Sequence, residues 1–121
     1  MKVIRLKPGQ EIRSELESLS LKAGAIITCV GSLKSAKLRM ADSSTIRELQ
    51  EELEIVSLVG TLSPDGCHIH ISLADKEGNV IGGHLKEGIV YTTAEIVLAE
   101  LDTVFFRKLD PETGYKELFI E

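Results

Sequence analysis

An α+β domain with mostly antiparallel strands is the fold class this chain predicts, with about eight short strands and one main helix. Three observations predict it. Apolar residues fall in short runs of strand length, rich in Val, Ile, Leu and Thr. Turn-forming clusters punctuate these runs, at Pro8-Gly9, Ser63-Pro64-Asp65-Gly66 and Asp110-Pro111-Glu112-Thr113-Gly114. A single stretch, Glu11–Ala23, keeps a period near 3.6 residues.

The elements follow in order. Val3–Leu6 reads as a first strand and Pro8-Gly9 as a turn. In Glu11–Ala23, Ile12, Leu16 and Leu19 form an apolar stripe between Glu11, Arg13, Glu15, Glu17 and Lys22, with Gly24 placed to end the helix. Ala25–Val30, bounded by Gly24 and Gly31, predicts a buried central strand, and Ser35–Met40 its partner. Asp42–Thr45 is loop chemistry, and Ile46–Glu52 fits an exposed loop, a helical turn or a ragged strand entry equally. Leu53–Leu62 is a strand rich in branched side chains. After the turn at Ser63–Gly66 comes a strand from Cys67, then Asn79–Leu85, then Thr93–Asp102. Val104–Arg107 and Lys116–Ile120 flank a tight hairpin signal. With no internal repeat or linker, residues 1–121 are expected to form one domain.

Composition narrows the function classes. No run of eighteen apolar residues exists to span a bilayer, and Met1–Lys7 alternates charged and apolar residues where a secretory signal needs a continuous apolar stretch. Two cysteines, Cys29 and Cys67, make no disulfide framework, so a cytoplasmic, reduced protein is expected. The net charge of −5 runs against general nucleic-acid affinity, which rests on cationic side chains. Lys34, Lys37 and Arg39 are the best candidate for a local basic patch. They are few, are interrupted by Ser35 and Leu38, and lack an aromatic platform.

All three histidines fall between Cys67 and His84. His68 and His70 are two residues apart, so in a strand both project from one face while Ile69 and Ile71 face the core. If Asp75-Lys76-Glu77-Gly78-Asn79 closes a five-residue hairpin loop, Ala74 pairs with Val80 and His70 lies opposite His84. Three imidazoles then converge on one patch. Three neutral imidazoles with an open fourth position suit a catalytic type of zinc site, whereas structural sites are closed by four ligands and favour thiolates. Cys67 points away from His68 and is expected to be a small buried residue. Zinc is the expected metal, although ligand type alone leaves nickel, copper and iron open.

The stretches Leu53–Leu62 and Leu73–Leu85, with Arg5–Gln10 and Val30-Gly31-Ser32-Leu33 leading into Lys37-Leu38-Arg39, resemble the plant and prokaryote conserved (PPC) domain family. The resemblance covers nearly the whole chain and is most specific from Glu54 to His84. It implies a twisted, largely antiparallel sheet and a homotrimer. In plants the domain follows AT-hook segments in DNA-associated proteins. DNA contact is implied by this analogy, but the acidic balance and the lack of an Arg-Gly-Arg-Pro AT-hook disfavour it here. A more distant resemblance, in His68-x-His70 followed by Gly82-Gly83-His84, is to the zinc motif of acetolactate decarboxylases, whose fold is similar and whose three zinc-binding histidines are helped by an arginine and a glutamate. It implies zinc here without carrying the reaction across.

His68, His70 and His84 are therefore the expected metal ligands. Glu54, a carboxylate in an apolar strand, is the candidate base, against an exposed strand residue or an ion-pair partner. Arg39 is the candidate cation, against a surface-strand residue. Ser72 shares the face of His68 and His70 and is placed to support the ligands. Gly82 and Gly83 suit close backbone approach, a bulge or plain strand packing. Lys86 and Glu87 cannot both aim at the metal. Two function classes result. One is a metal-binding trimer with a small-molecule ligand, a lyase or hydrolase if it is an enzyme. The other is a non-catalytic, DNA-associated module.

Overall fold

The structure, a computed structural model, describes residues 1–121. It holds eight strands and one helix: β1 (Lys2–Leu6), α1 (Ile12–Ser18), β2 (Gly24–Arg39), β3 (Ile46–Leu49), β4 (Leu53–Ser63), β5 (Gly66–Ala74), β6 (Val80–Glu100), β7 (Phe105–Leu109) and β8 (Lys116–Ile120). Every strand pairing is antiparallel. The main sheet runs β1-β6-β5-β4-β2-β3, and β2 also pairs with β6. The strands β6, β5, β4 and β2 thus form a closed ring, with β1 and β3 as appended edges. Closure leaves the ring strands few unpaired backbone groups. β7 and β8 form a separate two-stranded ribbon.

Two strands are far longer than the sequence pattern predicts. Ala25–Val30 and Ser35–Met40 are not partners: except for Met40, which lies beyond its end, they belong to the sixteen-residue β2. Asn79–Leu85 and Thr93–Asp102 likewise fall largely in the 21-residue β6. Four register shifts, at Ile26/Thr28, Gly31/Leu33, Leu33/Ser35 and Lys37/Leu38, bend β2 along β6 without a turn. Gly31 does not end the strand. It lets β6 approach, because a Cβ there would lie 2.1 Å from the Thr93 carbonyl oxygen.

The helix is shorter than its periodicity suggests and stops at Ser18. Ser20 takes a left-handed conformation (φ 52°), which redirects the chain so that Leu21 and Ala23 enter the core, and Gly24 starts β2. At the other end Glu11 caps the helix, accepting from the backbone N–H groups of Arg13 and Ser14 at 2.8 Å each. Its Oε2 also accepts from Gly88 N at 3.0 Å, tying α1 to β6. The ambiguous segment after Thr45 supplies β3, which pairs with the end of β2.

One core cluster joins these elements. Ile12 and Leu16 of α1 meet Leu33 and Leu38 of β2, Ile69 and Leu73 of β5, and Leu85, Val90, Ile96 and Leu98 of β6. Period-2 alternation in β5 buries Cys67, Ile69, Ile71 and Leu73 and turns His68, His70 and Ser72 to the opposite face. Burying an aliphatic side chain of this kind contributes roughly 1.5–3 kcal/mol, so a one-residue slip would be costly. The ribbon docks on β4 and its turn. Phe105 is buried and its N–H bonds Lys22 O, while Arg107 N–H bonds Asp65 Oδ2 at 2.9 Å.

The close approach at Gly31 gives a direct check. Gly31→Ala drives a methyl group into backbone on β6 that has no room to yield. We expect a loss of at least ~2 kcal/mol in urea unfolding. An unchanged midpoint would mean that β2 and β6 do not meet in this register.

Candidate metal centre

A short loop sets the histidine geometry. Asp75 accepts from the N–H groups of Glu77 and Asn79 through Oδ1, at 2.9 Å each, and its own N–H bonds Asn79 O. Gly78 supplies the positive φ (85°) that the loop needs. Ala74 therefore pairs with Val80 and, four residues along, His70 pairs with His84, as the spacing predicts. Gly82 and Gly83 permit the approach: a Cβ at Gly82 would meet Ile71 O, and one at Gly83 would meet Arg39 O, each at 2.8 Å.

The ring centroids of His68 and His70 lie 4.9 Å apart, those of His68 and His84 5.3 Å, and those of His70 and His84 5.8 Å. One nitrogen from each ring falls within 4.8 Å of the others, so the group could hold a metal ion. His70 is exposed, and His68 and His84 are half-buried. Burial, and next the Arg39 guanidinium, pushes the His84 imidazole down to about 4. Burial, followed by His70, also lowers His68. Both rings are neutral at pH 7, the form that ligates metal. His84 Nδ1 is buried with no hydrogen-bond partner. Such an orphaned nitrogen is costly in a folded chain, and a metal ion or its ligands would satisfy it.

Of the two candidate catalytic residues, one is beside the histidines and one is not. Arg39 lies opposite His84 across the β2–β6 ladder and lines a cavity of about 430 Å³ with His68 and His84. Its Nε is also buried without a partner. Glu54 lies opposite Ala74, four residues along β5 from His70, or ~13 Å at strand spacing. It lines a different cavity, with Asp75 and Lys76. The exposed side of an alternating strand accounts for its charge, and within one chain it stands apart from the histidines. Ser72 is on the histidine face, but its hydroxyl is engaged with Ser57 Oγ at 2.6 Å. Lys86, two residues after His84, lines the histidine cavity, while Glu87 faces Lys37 across the ladder. Cys67 is buried and donates its thiol to Glu17 Oε1 at 3.3 Å.

Sequence reasoning missed Arg13, Arg107, Tyr115, Lys116 and Glu117, which line the same cavity. Arg13 comes from the polar face of α1, where it donates to Leu85 O and pairs with Glu17 at 3.1 Å. The other four come from the ribbon and its loop. Arg107 is fixed by a 2.7 Å bond from its guanidinium to Thr61 Oγ1. No local signal in the chain places the ribbon there.

A closed antiparallel sheet with an H-x-H strand beside a Gly-Gly-His strand defines a small β-rich domain with one histidine group able to hold a metal. The model of the Plants and Prokaryotes Conserved (PCC) domain matches residues 1–102, and this chain belongs to that family. The bifunctional protein GlmU of Synechococcus sp. (strain JA-3-3Ab) is 50% identical over 124 residues, covering 98% of this chain and 20% of that protein. The chain thus spans about a fifth of the length of the curated relatives it matches. A hypothetical protein from Salmonella cholerae-suis superposes with a TM-score of 0.95 at 37% identity, over 99% of this chain and 91% of its own. A metal-containing protein from Archaeoglobus fulgidus does so with a TM-score of 0.81 at 32% identity, over 98% and 91%. Two remote structures share the fold alone. One, from Ralstonia eutropha JMP134, is described as a candidate DNA-binding protein (TM-score 0.89, 19% identity, over 98% and 90%). The other, from Staphylococcus aureus, is described as similar to α-acetolactate decarboxylase (TM-score 0.61, 18% identity, over 84% and 52%).

Two pH effects follow. The lowered imidazoles mean that the unfolded chain protonates first as pH falls. Their contribution to stability is present above pH 6.5 and lost toward pH 4. Metal-free wild type should therefore lose more thermal stability than His84→Gln over that range, and parallel curves would contradict the assignment. The thiols behave oppositely. Burial, followed by Glu95, pushes Cys29 up to about 11, and burial raises Cys67 to about 12. Neither is a thiolate at pH 8. Native protein should resist iodoacetamide at that pH and react at both positions in urea. The thiol contribution to stability is complete below pH 9 and fades as pH climbs toward 11 and 12.

Proposed function

We propose that this chain is a metal-dependent small-molecule protein in which His68, His70 and His84 together hold one divalent ion, zinc by preference. The convergence of three ligand nitrogens within 4.8 Å beside a cavity carries this reading. Three imidazoles with a fourth position left open are the donor set of catalytic zinc sites. Zinc held there supplies a Lewis acid that polarises a carbonyl oxygen or lowers the pKa of a water molecule, the chemistry of a lyase or hydrolase. Arg39, opposite His84, is the cation positioned to steady developing negative charge. The working unit is a homotrimer. Ile27 and Val30 of β2 and Val56 and Val59 of β4 are more than half exposed, and association would cover such side chains.

The DNA-associated reading draws less from this chain. Of the three candidate basic residues, Lys37 sits 3.9 Å from Glu48, and Arg39 lines the cavity beside His84. They do not form a continuous cationic strip of the kind that phosphate contacts require.

Elemental analysis tests the proposal. Wild type loaded with zinc and dialysed should retain close to one zinc per chain, and His68→Ala should retain almost none. Light scattering on both should give the mass of three chains. Zinc-free wild type after loading would overturn the metal assignment, and a monomeric mass would overturn the trimer.

A further inference from the structure

The cavity beside the histidines has a charge unlike that of the rest of the molecule. Five of its eleven lining residues are cationic, namely Arg13, Arg39, Lys86, Arg107 and Lys116, and one, Glu117, is acidic. The chain as a whole carries −5. Three of its five arginines therefore meet in one cavity. Arg13 is neutralised by Glu17 at 3.1 Å. The other ion pair in the molecule is Lys37–Glu48, so the side-chain nitrogens of Arg39, Lys86, Arg107 and Lys116 have no carboxylate within 4.0 Å. Gathering like charges without counter-charge raises the energy of the folded chain, and a bound anion relieves it.

Two of these cations are held ready. Arg39 Nε is shielded from solvent and has no acceptor in the chain, so one donor of that guanidinium awaits a partner. Arg107 is anchored through its backbone N–H to Asp65 and through one terminal nitrogen to Thr61, which fixes the fork while leaving further N–H groups unused. Guanidinium forks of this kind match the paired oxygens of carboxylate and phosphate. A volume of about 430 Å³ is near the lower end for small-molecule sites, which suits a compact metabolite.

We propose that this cavity is an oxyanion subsite, in which Arg39, Arg107 and Lys116 grip the carboxylate or phosphate of a small anionic ligand and leave the remainder of that ligand beside His68 and His84. The second half of this statement rests on the metal reading above, but the grip on the anion does not. Arg107 and Lys116 lie beyond residues 1–102, the part matched by the family model, so ligand choice rests partly on the ribbon.

Calorimetric titration with succinate and with inorganic phosphate, at constant ionic strength, tests it on zinc-loaded and metal-stripped protein. Saturable binding of at least one probe is expected, weakened about tenfold in Arg107→Gln and several-fold in Lys116→Gln, with zinc content unchanged in both. Lys116 makes no side-chain bond in the chain, so its variant is informative even if Arg107→Gln fails to fold. Stronger binding of succinate identifies a carboxylate ligand, and stronger binding of phosphate a phosphorylated one. If the chain holds no zinc but the stripped protein binds a probe through Arg107, the metal reading falls and the subsite stands. If neither probe binds, or both variants bind as tightly as wild type, the subsite is overturned.

Discussion

The site depends on one strand serving two neighbours. β2 pairs with β4 along one edge and with β6 along the other, and this double pairing closes the sheet. Closure fixes how far β6 can slide against β5, so the Asp75 loop needs only to set the count of residues. The bulges in β2 absorb the curvature that closure demands, and Gly31 removes the side chain that would hold β6 away. His84 then falls between His70 on one side and Arg39 on the other. A histidine group able to hold a metal and a cation are brought together by backbone pairing before any side-chain contact is considered.

The histidine group was legible in the chain because every step toward it is local. Period-2 alternation puts His68 and His70 on one face, and five loop residues ending in Gly78-Asn79 set the register that brings in His84. The antiparallel class and the single helix were readable for the same reason. The lengths of β2 and β6 were not, because glycine inside a strand looks like a break until the backbone it accommodates is known. The end of α1 turns on the φ of Ser20, for which a serine gives no warning. Glu54 stood out among apolar neighbours, yet the outward side of an alternating strand explains it.

The missed residues share one property. Arg13, Arg107 and Lys116 reach the cavity from α1, β7 and β8, elements far apart in the chain, and their meeting is decided by how the helix and the ribbon dock. Hydrogen bonds to Leu85, Thr61 and Asp65 carry out that docking. An acidic chain thus presents a locally basic recess. Overall charge, useful for judging affinity toward polyanions in bulk, is a poor guide to a site assembled from three separate segments.

The ribbon is fastened to the closed sheet by little more than the buried Phe105, the two bonds of Arg107 and one backbone bond to Lys22. Its outer strand, β8, contributes nothing to the main core cluster. Substitutions along β8 and its loop are consequently insulated from folding. The architecture separates a closed chassis from a replaceable front panel, so that the lining of the recess can change while the way the chain is built does not.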